Sequence, residues 1–174
     1  GFQDELIQFN SKSGILTVKK VEDKLQLDFP ADFAQPVEPI PVFAEAFGTH
    51  PLATFKGRTD YLLLFDSEET IQKFQPDISL LLSTNARGIM VTAKGNKVDF
   101  VSRFFAPAVG VNEDPVTGSA HTTLIPFWAK RLNKTEMTAL QLSARGGQLW
   151  CTLSGDRVLI AGKAVTYLRG EIEV

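Results

Sequence analysis

The sequence predicts an α+β fold in which short strands outnumber helices and pair in a largely antiparallel or mixed sheet. Short apolar or alternating runs succeed one another along most of the chain, punctuated by Gly, Pro and Asn. One strong amphipathic helix pattern, starting near Ser119, separates two groups of these runs. No βαβ unit repeats and no Gly-x-Gly-x-x-Gly fingerprint is present, which argues against a doubly wound parallel sheet. With 174 residues and 44% hydrophobic content, the chain can build one core or two small lobes, and disorder is excluded.

The elements follow in order. Leu6–Phe9, Ile15–Lys20 and Lys24–Phe29 read as successive strands, the first two separated by a turn over Asn10-Ser11-Lys12-Ser13-Gly14. Leu25, Leu27 and Phe29 alternate with Gln26 and Asp28, so they share one face. Pro30, Pro36, Pro39 and Pro41 then mark the best domain boundary in the chain. Val42–Phe47 predicts a short helix stopped by a left-handed Gly48. Tyr61–Phe65 is an apolar run of strand length. The spacing of Asp66 and Glu69 predicts a capping box opening a helix toward Phe74.

Gly88–Ala93 and Lys97–Phe105 predict a hairpin through Lys94-Gly95-Asn96. The later strands are expected at Leu140–Ala144, Gln148–Ser154, Arg157–Ala161 and Ala164–Leu168, with Ser154-Gly155-Asp156 as one of the turns. In the helix beginning near Ser119, Leu124, Phe127, Trp128 and Leu132 fall on one face. Pro126 sits inside that helix and predicts a kink.

Charge narrows the partners. The net charge of −2 hides a gradient: residues 1–85 carry 7 basic and 13 acidic groups, residues 86–174 carry 11 and 7. Lys19–Lys20 and Lys130–Arg131 are pairs, too sparse for a nucleic-acid footprint. A positive second half suits a small anionic ligand. The apolar runs Leu62–Phe65 and Ile78–Leu82 are too short to span a bilayer, and no secretion signal is expected. Cys151 is alone within an apolar run, which reads as a buried structural thiol in a reducing, cytoplasmic setting, with no metal cluster.

One segment concentrates chemistry. Residues 101–121 run from a strand, through Asn112-Glu113-Asp114-Pro115-Val116-Thr117-Gly118, into the helix at Ser119-Ala120-His121. Pro115 biases Asp114 toward an extended conformation, which aims its carboxylate. Gly118 permits close backbone approach, and the first amides of the helix favour an anion such as a carboxylate. The competing reading makes Asp114 or Ser119 a plain helix cap worth about 1 kcal/mol. A Ser119 hydrolase lacks a Ser-His-Asp order or nucleophile elbow.

Arg103-Phe104-Phe105-Ala106-Pro107 followed by Gly110-Val111-Asn112-Glu113-Asp114-Pro115-Val116-Thr117-Gly118-Ser119-Ala120-His121 resembles the signature of the phenazine-biosynthesis (PhzF-like) isomerase family. Gln141-Leu142-Ser143-Ala144-Arg145-Gly146-Gly147 and the run Val158–Val165 resemble its closing strands. The resemblance implies a fold like diaminopimelate epimerase: two lobes, each a curled mixed sheet or barrel around a central helix, facing across a cleft. It implies proton transfer between carbons of a small carboxylated substrate, with no cofactor and no metal. Asp114 corresponds to the catalytic aspartate, and Gly118 and Ser119 to the substrate-facing helix start. Glu113 and Thr117 belong to the same element without an assigned chemical role.

The family's first-lobe glutamate base and Gly-His helix start have no counterpart here; His50, between Thr49 and Pro51, does not match that motif, and His121 is no substitute. The chain opens on Gly1-Phe2-Gln3-Asp4 without Met. The expectation is therefore remnant first-lobe strands over 1–29, a second epimerase-like lobe over 30–163, and a closing strand over 164–174 that packs back on the first lobe. Such a truncated chain would be inactive alone. Its exposed strand edges make a homodimer an expectation, with no nucleic-acid or membrane partner. The alternative is a non-catalytic small-ligand-binding or interaction protein on the same lobe.

Overall fold

A computed structural model describes residues 6–11 and 14–171. The chain forms β1 (Leu6–Ser11), β2 (Gly14–Val21), β3 (Lys24–Pro30), β4 (Gln35–Val37), α1 (Pro41–Phe47), β5 (Ala53–Lys56) and β6 (Tyr61–Leu64). Then come α2 (Glu68–Lys73), α3 (Ile78–Ser83), β7 (Ile89–Lys94), β8 (Phe100–Phe105), a 3-10 turn over Pro107–Val109, and α4 (Gly118–Leu132). Strands β9 (Glu136–Gln141), β10 (Gly147–Ser154) and β11 (Arg157–Gly162) complete the order. All the strands join one sheet, β1-β2-β3-β11-β10-β9-β8-β7-β6-β5-β4.

The sheet is mixed. β6–β7 and β8–β9 are parallel; the other neighbours are antiparallel. Each parallel pair needs a crossover, which α2 and α3 supply for the first and α4 for the second. β8 and β9 run opposite to β6 and β7 while the sheet is traversed in one direction. Right-handed crossovers must then lie on opposite faces. The side chains agree: Leu62, Leu64, Met90, Phe100 and Phe104 face α4, whereas Leu63, Phe65, Ile89, Val91, Val101 and Phe105 face α1, α2 and α3. Burial on both sides explains why β6 reads as an unbroken apolar run and why only Thr92 interrupts β7 before its terminal Lys94.

Leu27 and Phe29 of β3 and Ala53 and Phe55 of β5 pack on the same cluster as Leu124 and Trp128 of α4. Eight strands from β3 to β5 laid flat would span roughly 33 Å, several times the width of one helix. The sheet therefore curls around α4, the expected central helix.

Pro126 does not break α4. Its missing N–H leaves the Thr122 carbonyl unbonded, and the Asp32 N–H fills that place at 3.0 Å. The Asp32 carboxylate also accepts from the Thr123 hydroxyl (3.1 Å) and the Arg58 N–H (3.0 Å). The loop after β3 is thus fastened to the helix where a kink was expected.

Other expectations need correction. The cap of α2 is Ser67, not Asp66: the Ser67 hydroxyl accepts from the Thr70 N–H. β8 starts at Phe100 rather than Lys97, because the Asp99 carboxylate turns away to accept from Lys134 Nζ (2.6 Å) and the Thr138 N–H (2.7 Å). β9 begins at Glu136 and ends at Gln141, where the chain turns toward the loop beneath Pro115. β4 and β5 lie in segments without strand signals; Pro36 is tolerated because β4 is an edge strand. The expected strand over Ala164–Leu168 is not formed. β11 pairs with β3 only to Gly162↔Leu25, one residue from the start of β3, so further residues have no ladder to join. Lys12 and Ser13, the middle of the first expected turn, and residues 172–174 lie outside the described residues.

Candidate active site

The β8–α4 connection carries the site. Asp114 is anchored at both backbone groups: its N–H donates to the Phe104 carbonyl (3.0 Å), and its carbonyl accepts from Gln141 Nε2 (2.7 Å). Its carboxylate oxygen Oδ2 accepts from the Thr117 hydroxyl at 2.6 Å. Asp114 is half-buried, Gly118 likewise, and Ser119 is exposed at the start of α4.

Thr117 occupies the N-cap position but its side chain does not cap the helix. Its hydroxyl turns to Asp114 instead, so neither Asp114 nor Ser119 acts as the plain cap that competed for these residues. The first-turn amides of α4 keep the unsatisfied donor character of a helix N-terminus. The Ser119 hydroxyl has no partner among the described residues.

Gln141, only 1% exposed, holds the cap residue. Its Oε1 accepts from the Thr117 N–H (2.8 Å) and its Nε2 donates to Thr117 Oγ1 (3.1 Å). The Thr117 carbonyl bonds His121 Nδ1 at 2.7 Å. A carbonyl can only accept, so Nδ1 carries the proton. His121 is fully buried, and burial drags its pKa down to about 4, opposed by the Thr117 bond. Neutral and inward-facing, it supports the loop rather than titrating in it.

The neighbouring acid has a different job. Glu113 forms a bidentate pair with Arg103 (2.7 and 3.0 Å), and Arg103 Nη1 also donates to the Ile71 and Phe74 carbonyls. Two adjacent acids therefore differ in their partners: Glu113 is held by Arg103 and Asp114 by the Thr117 hydroxyl. The loop 143–147 closes the other side: Ser143 Oγ donates to the Pro115 carbonyl (2.7 Å) and accepts from the Gly146 N–H (3.0 Å). Gly147 is required there, since a Cβ would lie 2.3 Å from Val116 Cγ2. A cavity of about 660 Å³ opens beside this junction, lined by Val116, Gly118, Arg145, Leu149, Trp150 and Lys163 among others. A second, of about 580 Å³, borders Gly118 and Ser119 with Phe29, Asp32, Arg58 and Arg87.

Asp114, Gly118 and Ser119 are thus brought to one strand–helix junction. Sequence reasoning missed Gln141 and gave Thr117 no role. The signal was slight: a polar residue in place of an apolar one on the inward face of β9, after Met137 and Ala139. Cys151 lies in the core, and burial, with the Asp99 charge adding to it, pushes its thiol up to about 12, as suits an inert structural cysteine.

Residues 1–170 match the family described as phenazine biosynthesis-like protein, PhzC-PhzF. The chain belongs to this family. It is 49% identical to the protein named uncharacterized isomerase PA3578 of Pseudomonas aeruginosa, over 98% of this chain and 65% of that protein. It is 46% identical to uncharacterized isomerase BH0283 of Halalkalibacterium halodurans, over 97% and 65%. The chain spans about two thirds of the length of these relatives. A crystal structure of a PhzF family protein from Enterococcus faecalis superposes with a TM-score of 0.93 at 42% identity, covering all of this chain and 67% of that one. The predicted epimerase PA4716 of Pseudomonas aeruginosa, at 16% identity and a TM-score of 0.61 over 92% of this chain and 64% of that one, shares the fold. The mixed sheet curled around one helix is therefore the diaminopimelate epimerase-like arrangement. Among the described residues of this family member, no helix is long and apolar enough to cross a membrane.

Proposed function

We propose that this chain provides one wall of a cofactor-independent isomerase site that moves a proton between carbons of a small carboxylated substrate. Asp114 exchanges the proton on this side, and the Gly118 and Ser119 amides with the Ser119 hydroxyl hold the substrate carboxylate. The observation that carries this reading is the start of α4: its cap side chain is turned away to hold Asp114 beside amides left to an anion. Donors fixed before the substrate arrives stabilise the charge that develops when a carbon acid loses its proton. The opposing base, a glutamate in the family pattern, comes from outside these residues, so the chain by itself is inactive.

The test is deuterium incorporation from D2O into a small carboxylated diene, followed by proton NMR. It compares this chain with the longest in-frame protein that carries it. Incorporation by the longer protein alone supports the reading, and Asp114→Asn or Ser119→Ala in it lowers the rate. Equal incorporation by the chain alone, or none by either, overturns it.

A further inference from the structure

The hydrogen bonds around Thr117 have only one consistent direction. The Thr117 N–H can only donate, so the Gln141 oxygen Oε1 must face it, which places Nε2 toward the Asp114 carbonyl and Thr117 Oγ1. Thr117 Oγ1 therefore accepts from Gln141, and its single proton goes to Asp114 Oδ2. Oδ2 is an acceptor whether the carboxyl is ionised or not. Oδ1 has no hydrogen-bond partner among the described residues.

From this chain of donors we infer that Gln141 and Thr117 are positioning residues that dedicate Asp114 Oδ1, and not Oδ2, to proton exchange with the substrate. The inference rests on the isomerase reading above. As the opposing base takes a proton from one carbon, the electron pair of that carbon–hydrogen bond shifts through the substrate π system, the Asp114 Oδ1–H bond breaks and a new carbon–hydrogen bond forms at the other carbon. The carboxylate left behind keeps Oδ2 bonded to Thr117, and a solvent proton restores the acid after turnover. Gln141 is almost wholly buried and Thr117 is 5% exposed, so the bonds between these two are shielded from water. A rotating carboxylate would offer either oxygen; this one is held at Oδ2 by the Thr117 hydroxyl, which leaves Oδ1 for the reaction.

Two measurements decide it. In the isotope-labelled chain, the Thr117 hydroxyl proton is expected to exchange slowly with water and to correlate by NMR with the Asp114 carboxyl carbon. Gln141→Glu, which cannot donate to Thr117, is expected to speed that exchange roughly tenfold or more. A wild-type hydroxyl that exchanges freely, or that correlates with the Gln141 side-chain carbonyl, overturns the inference. In the longest in-frame protein, Thr117→Val is expected to lower kcat for deuterium incorporation roughly 100-fold with little change in KM, and Thr117→Ser to restore it. A Thr117→Val protein as fast as wild type overturns the positioning role while leaving the isomerase reading intact. No incorporation by wild type overturns the isomerase reading instead, and the hydroxyl measurement still decides whether Oδ2 is pinned.

Discussion

The two faces of the sheet bury two different kinds of core. The outer one, under α1, α2 and α3, is built from Phe43, Phe47, Phe65, Phe74 and Phe105 with aliphatic neighbours, and its rings meet edge to face at 4.7–5.9 Å. Arg103 enters it to satisfy carbonyls at the end of α2 and to bind Glu113. The inner core around α4 is equally closed yet admits Thr92, Ser102, His121 and Gln141. The Ser102 hydroxyl and His121 Nε2 have no partner among the described residues. Buried polar groups of this kind cost stability. The difference teaches where the fold spends stability on function: the outer core holds the sheet in shape, and the inner core directs the site loop.

The largest effect should come from Arg103. Arg103→Leu leaves Glu113 without its partner and the Ile71 and Phe74 carbonyls without a donor, a loss of about 3–5 kcal/mol. Urea unfolding measures it. A loss below about 1 kcal/mol would mean that the outer core needs no charge to complete α2, and that the contrast between the faces is one of packing alone.

Next in size is a pH effect confined to the inner core. His121 has a folded pKa lowered from 6.5 to about 4, so between those values the unfolded chain binds a proton that the folded chain refuses. Stability is therefore full above about 6.5 and falls as pH drops to about 4, by about 3 kcal/mol in all. Burial pushes the Asp99 carboxyl up, but its Lys134 and Thr138 bonds pull it below its ordinary 3.8, so its effect falls at more acid pH. Chemical denaturation at several pH values should show the slope in wild type and its absence in His121→Leu, whatever the absolute stability of the variant.

Much of this was legible in the residues. The alternation of Leu25, Leu27 and Phe29, the stop at Gly48, the turn at Gly155 and the run of the central helix all follow from local chemistry. So did the place of Asp114, Gly118 and Ser119 on one strand–helix junction, since they are close in sequence. What local chemistry does not carry is non-local. β3 pairs with β11 across more than a hundred residues, and Gln141 reaches Thr117 across 24. The donor that replaces the bond lost at Pro126, the Asp32 N–H, likewise comes from a distant loop.

A smaller effect separates the cores by their tolerance. Trp128 stacks on Phe100 (5.8 Å, 6° between planes) and donates from Nε1 to Thr92 Oγ1, which in turn donates to the Val101 carbonyl. Trp128→Phe keeps a ring on Phe100 but strips Thr92 of its donor, at about 1–3 kcal/mol. Leu81→Met, a swap of similar volume in the outer core, should stay below about 1.5 kcal/mol. Thermal unfolding of the two variants compares them directly. Equal losses would show that the inner hydrogen bonds add nothing to packing.

The smallest effect tests the corrected cap of α2, at the rim of the outer core. Ser67→Ala removes the acceptor for the Thr70 N–H and should cost about 1 kcal/mol. Asp66 lies one residue outside the helix, and its carboxyl is held below its ordinary range chiefly by the Thr70 hydroxyl. It is fully exposed, so Asp66→Asn should cost less than Ser67→Ala. If the order reverses, the cap lies where the Asp66–Glu69 spacing first put it, and α2 begins one residue earlier in solution. Because Arg103 binds the carbonyls at the other end of this six-residue helix, the Ser67 loss should grow when Arg103 is also replaced. Simple additivity in that double variant would show that the two ends of α2 are held independently.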